Sequence, residues 1–327
     1  MQASLAEKEA KLSKLTTALQ DSDGEIWGTY KTEPPPGHAA MLSRNEPVII
    51  TTANLKGGVG KSTVTANLAC YFRAKGRRVL LIDLDYQGSL TNTLLTISGV
   101  QRGIRAKNAA NLFRSGADGG TILDNLIPLE SNNGVFDFVP TFYEFTKEEN
   151  RLQVRWLLQE DGDDLRYRLS RVLLNDTVRG RYDIVLIDTP PRLTTGTINA
   201  LCASTHFLVP TVLDNTSAEA VENFVSMVKH NITPLNPSLK LLGVVGTMTL
   251  HRTGLSAWEL AAIDRINSEM PWTPKKRVFK RHIPRKAAIS RAAGRDFAYN
   301  SDNQVRQWFE ALGTEVDTEI YGVQPDG

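Results

Sequence analysis

NLKGGVGKST, residues 54–63, directly follows the apolar run VIITTA at residues 48–53. Gly57, Gly58 and Gly60 allow consecutive backbone N–H groups to point inward at one phosphate group. An apolar run of this length, ended by a glycine-rich loop, is typical of a buried strand. The stretch therefore predicts a strand that leads into a phosphate-binding loop.

The end of this loop matches the general pattern G-x-x-x-x-G-K-[ST], although Leu55 stands at the first glycine position. We expect Lys61 to neutralise the β- and γ-phosphates and the Ser62 hydroxyl to bind Mg²⁺, while a helix from Ser62 presents its positive end to the anion. The alternative is a glycine turn that merely joins a strand to a helix. The predicted nucleotide-contacting residues are Gly57, Gly58, Val59, Gly60, Lys61, Ser62 and Thr63.

Beyond residue 47, short apolar runs alternate with longer amphipathic stretches, which is the pattern of a parallel sheet with crossover helices. The predicted fold is α/β, a P-loop NTPase with a mostly parallel twisted sheet and helices on both faces. The predicted strands are 48–53, 78–83, 136–139, 184–188, 205–209 and 241–248. The predicted helices are 62–75, 164–175, 217–230, 257–270 and 304–312.

Composition restricts the class of protein. The chain has 327 residues, 41% hydrophobic and 23% charged, with a formal net charge of +2. The first residues lack the uninterrupted apolar core of a signal peptide, and no apolar run approaches the ~18 residues of a membrane helix, so we expect a cytoplasmic protein. Cys70 and Cys202 lie in apolar segments far apart, which favours buried free thiols over a disulfide.

Changes in residue composition and hydrophobic spacing along the chain predict its domain organisation. Leucines at helical spacing near the start predict an amphipathic helix, which either packs on its own domain or frays, or forms a dimeric coiled coil. Trp27 and Tyr30 are possible anchors in the segment that follows. The predicted divisions are an N-terminal helix at 1–20, an extended linker at 21–46, a P-loop domain at 47–312 and an acidic flexible tail at 313–327.

Acidic residues follow two other predicted strands. Asp83 and Asp85 emerge at the carboxyl end of RVLLIDLD at residues 78–85, and Asp188 ends the run YDIVLID at residues 182–188. Because ligands bind at the carboxyl ends of parallel strands, we expect these carboxylates to face the nucleotide. Asp188 would then lie beside Ser62 and its Mg²⁺. The alternative for Asp83 and Asp85 is that they cap the following turn.

The stretch KGGVGKS at residues 56–62 resembles the deviant Walker A motif of the ParA/MinD group of ATPases, and the resemblance extends over residues 47–312. The resemblance implies that Lys56 crosses a dimer interface and touches the phosphates of the nucleotide in the other subunit. It also implies that Asp85 positions or activates the attacking water, while Asp83 has a Mg²⁺-binding or structural role. Tyr86 stands where the family commonly has proline.

Other segments extend this resemblance. The segment from Tyr182 to Pro191, YDIVLIDTPP, resembles the Walker B strand followed by the switch, so Thr189, Pro190 and Pro191 would sense the γ-phosphate. Met248 and Pro284 belong to segments that resemble those flanking the adenine in the family. The implied cofactors are ATP and Mg²⁺.

A basic stretch, PKKRVFKRHIPRKAAISRAAGR at residues 274–295, contains no acid. In a chain of small net charge, such a local excess predicts a surface for DNA phosphates, whereas the alternative is a solvated charged face. The resemblance favours DNA, because ParA-like dimers hold it without reading its sequence. The candidate DNA-binding residues are Lys275, Lys276, Arg277, Lys280, Arg281, Arg285 and Lys286.

The remaining family roles are less consistent with the sequence. The end of the chain, residues 313–327, has no lysine or arginine, which is unfavourable for a membrane surface. No C-x-x-C pair supports an iron–sulfur role.

We expect a homodimer formed with ATP, associated with the nucleoid, and controlled by a ParB-like or other adaptor protein to segregate or position DNA or other cargo. The alternative is a regulatory switch that docks on a protein complex without DNA.

Overall fold

The computed structural model describes residues 25–28, 30, 33–44, 46–100, 104–131, 134–250, 254–268 and 277–322, together with residues 9, 10, 12, 13 and 16. Within these ranges, strands of the chain form one eight-stranded sheet. The strands are β1 (Val48–Thr52), β2 (Val79–Asp83), β3 (Ile127–Ser131), β4 (Gly134–Val139), β5 (Ile184–Asp188), β6 (His206–Val212), β7 (Lys240–Thr249) and β8 (Ile283–Pro284).

The strand order is β3-β4-β2-β5-β1-β6-β7-β8. The pair β3–β4 at one edge is antiparallel, and the other neighbouring strands run parallel. Strand β5 lies between β2 and β1 and runs parallel to both. The carboxyl ends of β1, β2 and β5 therefore meet at one edge of the sheet. This arrangement confirms the predicted α/β fold with a mostly parallel sheet.

Helices cover both faces of the sheet. Successive strand residues belong to different apolar clusters: Leu80 and Ile82 pack in one, and Val79 and Leu81 in the other. This alternation is expected where both faces of a strand are buried. The helices are α1 (His38–Ser43), α2 (Lys61–Ala74), α3 (Ser89–Ser98), α4 (Gly119–Asp124), α5 (Glu144–Leu157), α6 (Arg168–Leu173), α7 (Asp176–Arg181), α8 (Thr195–Ala203), α9 (Asn215–Met227), α10 (Ala257–Ser268), α11 (Ala287–Ala292), α12 (Ala298–Ser301) and α13 (Asn303–Tyr321).

The segment predicted as an extended linker at 21–46 is folded onto the domain where it is described. It contains a 3₁₀ turn, Glu25–Gly28, and helix α1. Trp27 is 1% exposed and stacks on Trp156, with ring centroids 5.4 Å apart, and Tyr30 contacts the same ring edge-on. The prediction of an extended tether is wrong for these residues, because burial of the large Trp27 ring ties the segment to α5.

Most of the predicted N-terminal helix at 1–20 lies outside the described residues. Residues 9, 10, 12, 13 and 16 are helical and exposed.

The prediction of a flexible tail is also wrong for residues 313–322, while residues 323–327 lie outside the described residues. Helix α13 continues to Tyr321, and Val316 is fully buried. The Tyr71 hydroxyl donates to Asp317 Oδ2 at 2.6 Å, so the helix is fixed to α2 beyond the predicted boundary at 312. Apolar contact and this hydrogen bond outweigh the acidic composition that suggested a tail. Among the described residues, none of the helices combines the length and the apolar character needed to cross a bilayer.

Candidate functional site

The glycine-rich loop joins β1 to α2 at the carboxyl edge of the sheet. Gly58 and Gly60 have φ of 72° and 86°, a left-handed conformation that a residue with a β-carbon rarely adopts. Gly60 caps the amino end of α2, so the first free N–H groups of this helix open onto the loop. The local sequence therefore makes the phosphate cradle predicted from residues 54–63.

Lys61 lies within this cradle. It is 6% exposed, and its Nζ donates to the Lys56 carbonyl at 3.2 Å. Burial lowers the pKa of Lys61, while the nearby carboxylates of Asp188 and Asp85 act in the opposite direction. A buried ammonium group at a helix amino end is a strong point charge for phosphate oxygens.

The early lysine has partners within its own chain. Lys56 Nζ donates to Ser217 Oγ at 2.6 Å and lies 3.8 Å from Asp214 Oδ1. Its backbone N–H donates to Asn54 Oδ1 at 2.9 Å. Both Asp214 and Ser217 belong to the start of α9, with Asp214 as its amino cap. The side chain predicted to act across a dimer is thus held against the β6–α9 connection in the single chain.

Asp83 is fully buried, and protein groups use both of its carboxylate oxygens. The Asp85 N–H donates to Oδ1 at 2.9 Å, and the Thr91 N–H and hydroxyl donate to Oδ2 at 2.8 and 2.6 Å. Burial raises the pKa of Asp83 to about 7 despite these hydrogen bonds. Of the two roles considered for Asp83, the contacts favour the structural one, in which it fixes the loop that carries Asp85.

Asp188 differs from Asp83 because, among the described residues, no N–H group donates to its buried carboxylate. Neither oxygen has a donor in hydrogen-bonding geometry among the described residues, although the Ser62 hydroxyl is close enough to lower its pKa. Burial, and then the adjacent Asp83, raise that pKa well above the ordinary value. A buried, unpaired carboxylate beside a hydroxyl and Lys61 fits a divalent cation held with a polyphosphate.

The chain after Asp188 contacts both strand β1 and the phosphate loop. The Thr189 hydroxyl donates to the Thr52 carbonyl at 2.9 Å. Pro191 Cγ lies 3.9 Å from the position that a β-carbon at Gly57 would occupy. Of the predicted switch residues, Thr189 is thus bonded to the end of β1, and Pro191 lies beside Gly57 of the cradle.

Sequence reasoning missed one acid near this segment. Glu149 in α5 is 4% exposed, and its Oε1 accepts from the Gly196 N–H at 2.7 Å. Burial raises the pKa of Glu149 to about 7. Nothing in the run EENRLQ distinguishes this acid from its solvent-facing neighbours, because its partner Gly196 is distant in sequence.

A cavity of about 260 Å³ adjoins the cradle and has Gly60, Thr63, Met248 and Pro284 in its wall. Met248 has φ of 56°, which is uncommon for a residue with a side chain and holds the end of β7 against the cavity. The structure thus brings together the two residues predicted to flank a base and the loop predicted to hold phosphates. Its size and its position next to Gly60 fit a nucleotide base.

The predicted DNA-binding residues separate into groups. Lys280, Arg281 and Arg285 are exposed. Arg277 donates to the Leu241 carbonyl at 3.2 Å, and Lys286 Nζ lies 2.7 Å from Asp302 Oδ1. The cationic groups of these last two are engaged by the protein. Lys275 and Lys276 lie outside the described residues.

Together, the parallel sheet, the glycine loop and the unpaired carboxylate at the end of β5 define a P-loop nucleotide-binding protein. A family model described as an AAA domain matches residues 48–241. The chromosome-partitioning ATPase Soj of Thermus thermophilus is 30% identical over 244 residues, which are 74% of this chain and 83% of that protein. The chromosome partitioning protein ParA of Caulobacter vibrioides is 30% identical over 77% of this chain and 85% of its own. The chain belongs to the ParA/MinD family of P-loop ATPases.

Solved structures share this fold. A Cyanothece McdA variant in complex with ATP aligns with a TM-score of 0.67 at 18% identity, over 86% of this chain and 99% of that one. A plasmid partition protein from Borrelia burgdorferi aligns with a TM-score of 0.59 at 24% identity, over 82% and 97%.

Proposed function

We propose that this protein binds ATP with Mg²⁺ and hydrolyses it, and that the ATP-bound protein forms a dimer that binds DNA without sequence preference. The observation that carries the nucleotide assignment is the buried, unpaired carboxylate of Asp188 opposite Lys61 and Ser62. The relatives named as a chromosome-partitioning ATPase and as a chromosome partitioning protein support the same function. A bound Mg²⁺ would supply charge neutralisation on the phosphate oxygens.

The side chains have separate roles in this reaction. Ser62 and Asp188 hold the cation, directly or through water, and Lys61 holds the β- and γ-phosphates. Asp85 is 9% exposed at the edge of the cradle, where it orients the attacking water. Asp83 fixes Asp85 through the Asp85 N–H.

Lys56 acts on the nucleotide of the second subunit. To do so, it must leave Ser217, which accepts its hydrogen bond in the single chain. Two ATP molecules buried between subunits concentrate enough negative charge to compensate for this exchange. Dimer formation therefore depends on bound ATP.

The DNA surface of this proposal comprises Lys280, Arg281 and Arg285, which are exposed on consecutive parts of the β8 region. Cations held by salt bridges, such as Lys286, contribute little because they already have a carboxylate partner. Release from DNA follows hydrolysis, which an adaptor protein stimulates. The cycle would position DNA or another cargo on the nucleoid in the cytoplasm.

The test measures binding of the purified protein to two unrelated DNA duplexes with ATP, with ADP and without nucleotide, over a salt series. We expect ATP-dependent binding that is equal for the two duplexes and weakens steeply with salt. Reversing Lys280 and Arg281 to glutamate should weaken binding at least tenfold and flatten the salt dependence while ATP turnover is retained.

The matched control reverses Arg105 and Arg151, which are exposed elsewhere and change the net charge equally. Equal loss of DNA binding in both double variants would contradict a local DNA surface. Absence of DNA binding with every nucleotide would favour the second candidate function, a switch that docks on a protein complex.

A further inference from the structure

The chain between Pro191 and helix α8 is held by two side chains from other elements. The indole Nε1 of Trp27 donates to the Leu193 carbonyl at 3.0 Å. Glu149 Oε1 accepts from the Gly196 N–H at 2.7 Å. Both side chains are buried, so water competes little for these hydrogen bonds.

The two side chains belong to one packed unit. Trp27 stacks on Trp156, which lies in the same helix α5 as Glu149. The Trp27 carbonyl accepts from Arg166 at 2.7 Å, and the Tyr30 hydroxyl donates to the Leu157 carbonyl at 2.5 Å. The N-terminal segment and α5 therefore pack together, and each forms a hydrogen bond with the backbone of residues 193–196.

Side chains from the same two elements also contact both ends of helix α8. His38 Nε2 lies 3.0 Å from the Cys202 carbonyl, near the carboxyl end of that helix. At the amino end, a β-carbon at Gly196 would stand only 3.0 Å from Glu149 Oε1 and 3.5 Å from Leu84 Cβ. The missing side chain at Gly196 is what lets the Glu149 carboxylate reach the backbone.

Only a few residues separate the chain held by Trp27 and Glu149 from the phosphate loop. Leu193 is two residues from Pro191, which adjoins Gly57 of the cradle. Thr189 is tied to the end of β1 through the Thr52 carbonyl. Residues 193–196 therefore continue directly into Pro191, the predicted switch residue that lies beside Gly57.

We propose that Trp27 and Glu149 are positioning residues for ATP hydrolysis, because they hold residues 192–196 so that Thr189, Pro190 and Pro191 stay in register with the phosphate loop. This inference rests on the proposed ATPase activity. Trp27 lies outside the range 48–241 that the family model matches.

The experiment uses the full-length protein with Trp27→Phe, which keeps a ring for stacking but removes the indole N–H, and with Glu149→Met, which keeps a side chain of similar length but removes the acceptor of the Gly196 N–H. The controls are Trp258→Phe, at a side chain 83% exposed on α10, and Glu148→Met, at the adjacent position of α5. Steady-state kcat and KM for Mg-ATP are measured, together with amide hydrogen exchange of residues 192–203.

We expect each of the two variants to lower kcat by about threefold to tenfold, the range for one buried hydrogen bond, with KM within about twofold of the unaltered protein. Exchange of amides 193–203 should be faster in both. The controls should match the unaltered protein in all three readouts.

Unchanged kcat and unchanged exchange in both variants would overturn the inference. A lower melting temperature with normal kcat would overturn it as well, because the contacts would then be structural only. If the unaltered protein has no ATP turnover, the proposed function fails instead, and the exchange measurement alone decides whether Trp27 and Glu149 restrain the segment.

Discussion

Replacing Gly313 with alanine should destabilise the protein, although alanine favours helices. A β-carbon at Gly313 in α13 would stand 2.4 Å from Cγ and Cδ1 of Tyr71. Ordinary carbon contacts are about 3.5–4.0 Å, so the ring would have to move by about 1 Å. Tyr71 is 2% exposed and is fixed by its hydrogen bond to Asp317, which leaves it little freedom to shift.

The change in the free energy of unfolding of Gly313→Ala is the sum of opposing effects. Overpacking a rigid site costs about 1–3 kcal/mol, and weakening the hydrogen bond to the Asp317 carboxylate costs about 1 kcal/mol more. The helix preference of alanine over glycine offsets about 1 kcal/mol. We expect the free energy of unfolding to fall by about 1–3 kcal/mol.

Gly180→Ala is the matched control, because this glycine lies in α7 and no atom of the described residues comes within 4 Å of its β-carbon position. That variant should gain about 0.5–1 kcal/mol. The assay is urea unfolding with the midpoint and the m-value compared across the three proteins. A Gly313→Ala protein as stable as Gly180→Ala would refute the docking of α13 on α2, and residues after 312 would then behave as the tail that composition predicted.

Two further predictions concern Lys56 and Glu149. Lys56→Ala should bind ATP as a monomer but show no ATP-dependent dimer by light scattering. Ser217→Ala, which removes only the partner of Lys56 in its own chain, should still dimerise. An ATP-dependent dimer of Lys56→Ala would contradict the role of Lys56 across the interface. Burial raises the pKa of Glu149 to about 7 from 4.5, so the folded protein holds a proton that the unfolded chain releases, and stability should decrease as pH rises between these values. Relative to Glu149→Gln in Mg²⁺-free buffer, the unaltered protein should lose about 2 kcal/mol between pH 5 and pH 8, and equal pH dependence in the two proteins would contradict this assignment.

The central strands were predictable because their signals are local. The runs that became β1, β2 and β5 are mainly apolar, with two threonines at the end of β1, and they lead into a glycine loop or end in an aspartate. β3 was missed because Ile127–Ser131 contains a proline and is a strand only through its antiparallel pairing with β4 at the sheet edge. The predicted helix at 164–175 is divided into the 3₁₀ turn Leu165–Tyr167 and α6.

The same distinction applies to the site. Lys61 and Ser62 could be predicted because phosphate binding requires a loop whose residues are consecutive in sequence, and Asp188 because it ends a buried strand. Trp27 could be proposed as an anchor, but its partner and the contact of Glu149 could not, because each contacts a backbone group far away: Gly196 is 47 residues from Glu149, and Leu193 is 166 residues from Trp27. Helical periodicity identifies which side of α5 is apolar, but it does not identify a backbone N–H on another helix.

Two supports outside residues 48–241 reach the nucleotide site from opposite faces of the sheet. Trp27 packs in the apolar cluster of one face and restrains the segment after Asp188, while Val316 packs in the cluster of the other face beneath α2, which carries Lys61. Within the described residues, the helix that begins with Lys61 and the segment after Asp188 are thus each packed against a part of the chain that the family model does not match. These contacts cannot be found from the glycine loop and the strand-end aspartates, because they join elements that are far apart in sequence.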